Sequence, residues 1–171
     1  RNERLDGVVS TGDYPGCMLS AAVASALGLP SPSLRTVVAL SHKLYSRELQ
    51  ARLVPDATPR FAAYDPFARR LDPPLSFPFF TKPVKGTMSI RAQLVRDQRE
   101  LAAAVRFSWR ERIAKTLLLR PFGQLLRATT FGRVPAHWFI AEEPLRGAQV
   151  TVDGFVQDGK ATLMGIVDSV M

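Results

Sequence analysis

The stretch FPFFTKPVKGTMS, residues 77–89, carries the strongest structural signal in the chain. Up to Val84, apolar and aromatic residues flank a single charged residue, Lys82, and this pattern predicts a buried strand. Burial of a lysine without an anionic partner is costly, so we expect a negative group to meet Lys82. The alternative is an edge strand whose lysine points to solvent.

A small polar loop follows this strand. The backbone N–H groups and hydroxyls of such a loop can surround phosphate oxygens. The loop lacks the glycine pattern and the following helix of a Walker P-loop or a dinucleotide-binding turn, so the sequence supports neither of those sites. The residues of this loop that could contact phosphate are Lys85, Gly86, Thr87 and Ser89.

The chain before residue 77 predicts a strand followed by helices. DGVV at 6–9 is a short strand candidate, and residues 15–27 predict a helix that ends at Gly28. A second helix should begin near Ser33 or Ser41, either of which can cap it, and prolines then mark a connector.

The chain after residue 88 predicts strands around a long helix. SIRAQLV at 89–95 alternates as a strand does, and Asp97 can cap a helix that Pro121 and Gly123 later interrupt. HWFIAEE at 137–143 predicts an exit strand, and the segment after it predicts a hairpin with a turn at Asp158-Gly159. The expected apolar face of the helix contains Leu101, Val105, Trp109, Ile113 and Leu117. These elements predict an α/β (α+β) fold with a mixed, mostly antiparallel sheet.

Composition limits the class of protein. The chain has 171 residues, of which 46% are hydrophobic and 22% charged, as in soluble globular domains. A single cysteine, Cys17, and two histidines, His42 and His137, are too few for a tetrahedral zinc site, and we expect a cytoplasmic setting. Both histidines are expected to be structural. The net charge of +8 fits a phosphate-rich ligand, nucleic acid or an acidic surface equally well.

Three motifs in order resemble the ATP-grasp superfamily, which includes D-alanine:D-alanine ligase, biotin carboxylase and carbamoyl-phosphate synthetase. A lysine that opens a helix before a proline-containing turn is matched by Lys43 in HKLYSRELQARLVPDATPRF. The pattern apolar-Pro-apolar-apolar-x-Lys-Pro and its loop are matched by residues 77–89. An exit strand that ends in glutamate, followed by a hinge, is matched by FIAEEPLRGAQVTVDG at 139–154.

The resemblance implies an ATP site in a cleft between two lobes. Lys43 and Lys82 would contact phosphates, and Lys43, at a helix start, is expected to be the more solvated. Gln149 stands where the family commonly has a ribose-binding glutamate, and its neutral amide binds a hydroxyl more weakly than a carboxylate would. The hinge whose backbone would read adenine consists of Glu142, Glu143, Pro144 and Leu145.

The resemblance also implies a division of the chain. Residues 1–34 would be the end of a preceding domain, 35–142 the N-terminal ATP-grasp lobe, and 143–171 the hinge and the start of the C-terminal lobe, truncated before that lobe ends. The implied cofactors are ATP and magnesium, with the metal ligands expected beyond residue 171. Asp153 and Asp168 come too early in the family's order to bind the metal.

The implied function is an ATP-dependent carboxylate–amine or carboxylate–thiol ligase that acts through an acyl phosphate, although the fragment alone should be inactive. Its partners would be a nucleotide and a small carboxylate, with no membrane. The alternative is a non-catalytic nucleotide-binding or scaffold module, favoured by Gln149 and the missing metal ligands. A weaker alternative is nucleic-acid binding through the basic segment 91–133, which a solvated helical face also explains because exposed aromatics are not interleaved there.

Overall fold

The computed structural model describes residues 5–86, 89–129 and 131–168. A short π-helical turn at Asp13–Cys17 precedes the first helix, and a 3₁₀ turn at Pro55–Ala57 follows the third. The α-helices are α1 (Met18–Ala26), α2 (Leu34–Ser41), α3 (Lys43–Leu53), α4 (Gln98–Ala104) and α5 (Trp109–Ala128). The strands are β1 (Phe61–Tyr64), β2 (Phe79–Pro83), β3 (Gln93–Val95), β4 (Phe139–Glu142), β5 (Val150–Gln157) and β6 (Lys160–Asp168). The predicted α/β (α+β) class is confirmed.

An antiparallel four-stranded sheet of order β1-β4-β2-β3 forms the centre of the molecule. All four residues of β4 are buried, because this strand pairs with β1 on one side and β2 on the other. β2 lies between β4 and β3, so the strand predicted from FPFFTKPV is confirmed and is not at the sheet edge. The alternative of an edge strand with a solvent-facing Lys82 is therefore wrong.

Each face of this sheet covers a separate apolar cluster. Burial of each large apolar side chain contributes about 1.5–3 kcal/mol, so both clusters stabilise the same sheet. On the face toward α3 the cluster includes Tyr45, Val84, Phe122 and Ile140. On the face toward α4 it includes Phe79, Val95, Leu101 and Phe139.

The helices are shorter and more numerous than expected. Ser33 caps α2 by accepting a hydrogen bond from the Thr36 N–H, but the extended backbone of His42 ends that helix and α3 starts at Lys43. The predicted cap at Asp97 is confirmed, since its carboxylate accepts the Glu100 N–H at 2.8 Å. The predicted long helix is wrong, because the chain leaves α4 after Ala104 and restarts.

A capping box starts α5. The side chain of Ser108 accepts the Glu111 N–H, and the Glu111 carboxylate accepts the Ser108 N–H at 2.7 Å. Pro121 lies inside α5 without ending it. The carbonyl that loses its helical partner belongs to Leu117, whose residue is 63% exposed, so water can satisfy it.

The predictions for the shorter strands have mixed outcomes. DGVV forms no strand, and Val9 in it is 91% exposed. Only Gln93–Val95 of SIRAQLV is a strand, since Ser89 and Arg91 have positive φ angles. The terminal hairpin is confirmed: β5 and β6 pair antiparallel around Asp158 and Gly159, both with positive φ.

His42 is fully buried beside the first cluster. Its ring stacks on Tyr45 at 4.2 Å between centroids and lies 6.2 Å from the ring of Phe122. Neither ring nitrogen has a hydrogen-bond partner among the described residues. Burial, aided by the charges of Lys43 and Lys85, lowers the pKa of His42 to about 4. The structure thus packs His42 as an aromatic core residue.

We expect the free energy of unfolding of His42→Phe to fall less than that of the parent as the pH decreases from neutrality. With an unfolded pKa of 6.5 and a folded pKa of about 4, the unfolded chain takes up the proton first as the pH falls. The parent should therefore lose about 3 kcal/mol more than the variant between pH 6.5 and pH 4. Urea unfolding at a series of pH values measures the free energy of unfolding of both proteins, and an equal dependence on pH in the two would contradict this prediction.

Candidate functional site

A buried carboxylate, Glu142 at the end of β4, lies between two cations. Its Oε1 accepts from Arg47 Nε at 2.5 Å, and its Oε2 forms an ion pair with Lys82 Nζ. Burial would raise the pKa of Glu142, but the hydrogen bonds and charges of Lys82 and Arg47 outweigh it and hold that pKa below its usual range. The expectation that a negative group meets Lys82 is confirmed.

The sheet register produces this contact. Phe80 of β2 lies opposite Glu142, and Lys82 lies opposite Ile140, so Lys82 and Glu142 are diagonal neighbours on one face of the sheet. α3 covers that face and supplies Arg47. Sequence reasoning missed Arg47, although its spacing of four residues from Lys43 places both side chains on one side of α3.

Lys43 lies at the first position of α3 and is half-buried, as Lys82 is. Its Nζ donates to the Gly86 carbonyl at 2.8 Å, and its backbone N–H donates to the Val84 carbonyl at 2.8 Å. Burial lowers the pKa of Lys43, and the charges of Lys82 and Lys85 lower it further. The helix start and the end of β2 are therefore joined directly.

The loop after β2 divides its polar groups between core and surface. Lys85 is only 6% exposed, and its Nζ lies 4.6 Å from the ring centroid of Tyr14 and 5.3 Å from that of Phe122. Burial lowers the pKa of Lys85, which contacts no carboxylate in the described part of the chain. Ser89 is exposed, and Thr87 lies outside the described residues.

The segment after Glu142, which the sequence predicts to be a hinge, is open to solvent. The Glu143 N–H donates to the Arg60 carbonyl at 2.9 Å, and its carboxylate pairs with the Arg60 guanidinium at 3.1 Å. Pro144 is half-buried, whereas Leu145 is 74% exposed. Gln149 is also exposed, just before β5. The structure thus brings Lys43, Lys82 and Glu142 together and leaves Gln149 outside their contacts.

The other polar candidates stand apart from this group. His137 Nε2 lies 3.7 Å from the Asp65 carboxylate, and Asp153 and Asp168 are exposed on the hairpin. Among residues 5–86, 89–129 and 131–168, no three His, Cys, Asp or Glu residues are grouped so that they could hold a metal ion. No helix in the same ranges is long and apolar enough to span a bilayer.

We expect Glu142→Gln to lower the free energy of unfolding by about 3 kcal/mol at pH 7, because two partly buried cations lose their counter-charge. Since the folded pKa of Glu142 is depressed, this stabilisation is present above the usual value of 4.5 and is lost as the pH falls below it. Urea titrations at pH 7 and at pH 3 measure the difference.

The neighbouring Glu143 provides the matched control. It carries the same charge and also pairs with an arginine, but its side chain is 45% exposed. Glu143→Gln should leave the stability almost unchanged, because exposed ion pairs contribute little. If both glutamine variants behave alike, the position of Glu142 is not special.

Comparison with known proteins supports the fold. No protein-family model and no curated sequence matches the chain. An L-amino acid ligase from Bacillus licheniformis aligns with a TM-score of 0.65 at 22% identity, over 95% of this chain and 32% of that one. A D-alanine-D-alanine ligase from Helicobacter pylori aligns at 0.56 and 16%, over 91% and 44%.

A third solved structure agrees with these two. The D-alanyl-alanine synthetase A from Vibrio cholerae aligns with a TM-score of 0.58 at 10% identity, over 92% of this chain and 43% of that one. The chain thus spans less than half the length of each of these ligases. Over the part that it spans, the chain has the fold of these three ligases.

Proposed function

We propose that this chain is the ATP-binding portion of an ATP-dependent carboxylate–amine or carboxylate–thiol ligase. The observation that carries this proposal is the grouping of Lys43 and Lys82 at the residue from which the hinge leaves the sheet. The named ligases with the same fold support the same class of activity. Residues 1–34, 35–142 and 143–171 would then be the end of a preceding domain, the N-terminal lobe, and the hinge with the start of the next lobe.

Phosphate charge would complete the electrostatics of the lysine group. A lysine 4 Å from a phosphate oxygen gains about 4 kcal/mol at an effective dielectric near 20, before desolvation is subtracted. Lys82 already shares Glu142 with Arg47, so these three residues keep one net positive charge. Lys43 forms no ion pair with a carboxylate in the described residues, and burial, together with the charges of Lys82 and Lys85, lowers its pKa.

Adenine and ribose would lie along the hinge. Because the Glu143 N–H already donates to the Arg60 carbonyl, adenine would contact the Glu143 carbonyl and the backbone of Pro144 and Leu145. Gln149 would accept from a ribose hydroxyl as a neutral group. Lys85, with its ammonium between two aromatic rings, and Gly86 would support the loop, and Ser89 would offer a hydroxyl to a phosphate.

The substrate carboxylate would attack the γ-phosphorus of bound ATP and release ADP, and an amine or a thiol would then attack the carbonyl carbon of the acyl phosphate and release inorganic phosphate. For this transfer the chain's own task is to position the phosphates and offset their charge. The resemblance also implies magnesium, but the described residues do not fit a magnesium site. We propose that its ligands lie outside this chain and that the setting is cytoplasmic.

A non-catalytic nucleotide-binding or scaffold module is the second candidate. It is favoured by Gln149 in the ribose position and by the Glu142 carboxylate, which already forms an ion pair with Lys82. Nucleotide binding without any ATP turnover, in a protein that includes the metal ligands, would support it. Release of ADP that depends on a carboxylic acid and an amine would support the ligase.

In a protein that also includes the expected metal ligands, Lys82→Ala should weaken ATP binding at least tenfold, about 1.4 kcal/mol, because the phosphates lose a nearby cation. Lys43→Ala should weaken it as well, since this lysine is half-buried beside Gly86. Isothermal titration calorimetry of folded variants provides the dissociation constants.

Arg47→Met is the matched control for Lys82→Ala. Arg47 also binds Glu142, but it is not expected to reach a phosphate. If ATP binds Lys82→Ala as tightly as the parent, or if Arg47→Met loses as much affinity, Lys82 is not a phosphate ligand. Lys160→Ala on the exposed hairpin controls for net charge and should have no effect.

Gln149→Glu tests the ribose contact. A carboxylate accepts a hydroxyl hydrogen bond more strongly than an amide does, so ATP should bind the variant at least as tightly as the parent. The preference for ATP over 2′,3′-dideoxy-ATP should increase, because only ATP offers the hydroxyls. An unchanged preference, measured by calorimetry with both nucleotides, would remove Gln149 from the site.

A further inference from the structure

A basic groove runs along α5 and contains none of the lysines of the proposed ATP site. Its volume is about 680 Å³, within the range of small-ligand pockets. One wall is formed by α5 and the other by residues 132–137. The floor is apolar and includes Leu119, Leu126, Val134 and Ala136. We call this cavity the α5 groove.

Three arginines on one side of α5 form the rim of the α5 groove. Arg112, Arg120 and Arg127 are separated by eight and seven residues, so at about 100° per residue they fall within about 80° of one another around the helix. All three are exposed, and none forms an ion pair with a described residue. No aspartate or glutamate lines the groove.

Lys115 adds a fourth cation in the wall. It is half-buried, and its Nζ donates to the His137 carbonyl at 3.0 Å and lies near the rings of Phe107 and Phe139. Burial lowers the pKa of Lys115 to about 8, and the charge of Arg91 lowers it further, whereas the charge of Asp65 raises it. The groove lining therefore carries four cationic side chains and no carboxylate of its own.

Gly123 leaves the α5 groove open. Gly123 lies in the middle of α5, where a glycine costs about 1 kcal/mol relative to alanine, and it lines the cavity. A Cβ added at Gly123 would meet only the Arg127 side chain, at 3.9 Å. A larger side chain at this position would therefore fill the groove without a backbone clash.

We propose that the α5 groove binds a small organic anion, with its phosphate or carboxylate group on the arginine rim and an apolar body on the floor. Guanidinium groups match the geometry of both kinds of anion. The apolar floor distinguishes such a ligand from a bare inorganic ion, because burial of its body adds about 25 cal/mol per Å² of apolar surface.

The same geometry argues against a nucleic-acid strand. Proteins that bind single-stranded nucleic acid without sequence preference stack its bases on exposed aromatic side chains. Phe67, the aromatic residue in the groove lining, is covered by the Arg112 guanidinium at 4.5 Å and stacks with the His137 ring at 5.7 Å. Its faces are thus already in use, which leaves the concave apolar floor as the surface for a ligand.

The test uses phenyl phosphate, benzoate, inorganic phosphate and phenol as probes in calorimetric titrations. Phenyl phosphate or benzoate should bind at least tenfold more tightly than inorganic phosphate and phenol, because only these two probes join a charge to an apolar body. Which of the two binds more tightly identifies the anionic group.

Variants locate the binding. Arg120→Gln combined with Arg127→Gln should weaken binding of the better probe at least tenfold, whereas Arg52→Gln combined with Arg99→Gln, an equal charge change outside the groove, should not. Gly123→Leu should abolish probe binding by filling the cavity. ATP affinity should stay unchanged in every variant, so that failure here is separate from failure of the proposed ligase function.

Three results would overturn the proposal. The first is that neither aromatic anion binds, or that each binds no better than inorganic phosphate. The second is that probe binding survives Gly123→Leu. The third is that a single-stranded oligonucleotide binds through Arg120 and Arg127 with a steep salt dependence while the small anions do not bind, which would make this face a nucleic-acid surface.

Discussion

The Glu142 carboxylate is almost completely removed from water, and it stays ionised because Arg47 and Lys82 flank it. Removing a charge from water costs several kcal/mol unless partners with good geometry offset it. The three residues come from β4, α3 and β2, so this one requirement fixes how the helix lies on the sheet. It also places the ammonium of Lys82 at the point where the chain leaves the sheet after β4.

The parts of the fold that follow from local chemistry could be predicted from the sequence. A lysine among apolar residues predicted both the strand and the need for a negative partner, and Glu142 is that partner. Asp97 capped its helix as its spacing from Glu100 indicated, and Asp158-Gly159 made the hairpin turn because both residues accept positive φ. The order of the motifs predicted the fold that the solved ligase structures share.

The parts that depend on tertiary contacts could not be predicted. The spacing of Trp109, Ile113 and Leu117 predicted the packed face of α5, but all three are more than half exposed. A second apolar row, which includes Phe122 and Leu126, packs instead against His42, Tyr45 and their neighbours. The sequence shows two apolar rows on this helix, and which of them is buried depends on the elements that pack against the helix. Arg47 and the buried direction of Lys85 were missed for the same reason: their partners are distant in sequence.

Under the proposed function, Lys43 and Lys82 lie together at a nucleotide site, and Lys115 and Lys160 lie outside it. Nuclear magnetic resonance of protein with ¹³C-labelled lysine side chains, titrated with ATP at constant pH, tests this placement most directly. The Cε signals of Lys43 and Lys82 should shift together and saturate at one ATP concentration, while those of Lys115 and Lys160 stay in place. If the signals of Lys43 and Lys82 do not move, or if only Lys115 responds, the lysine group beside Glu142 is not the nucleotide site.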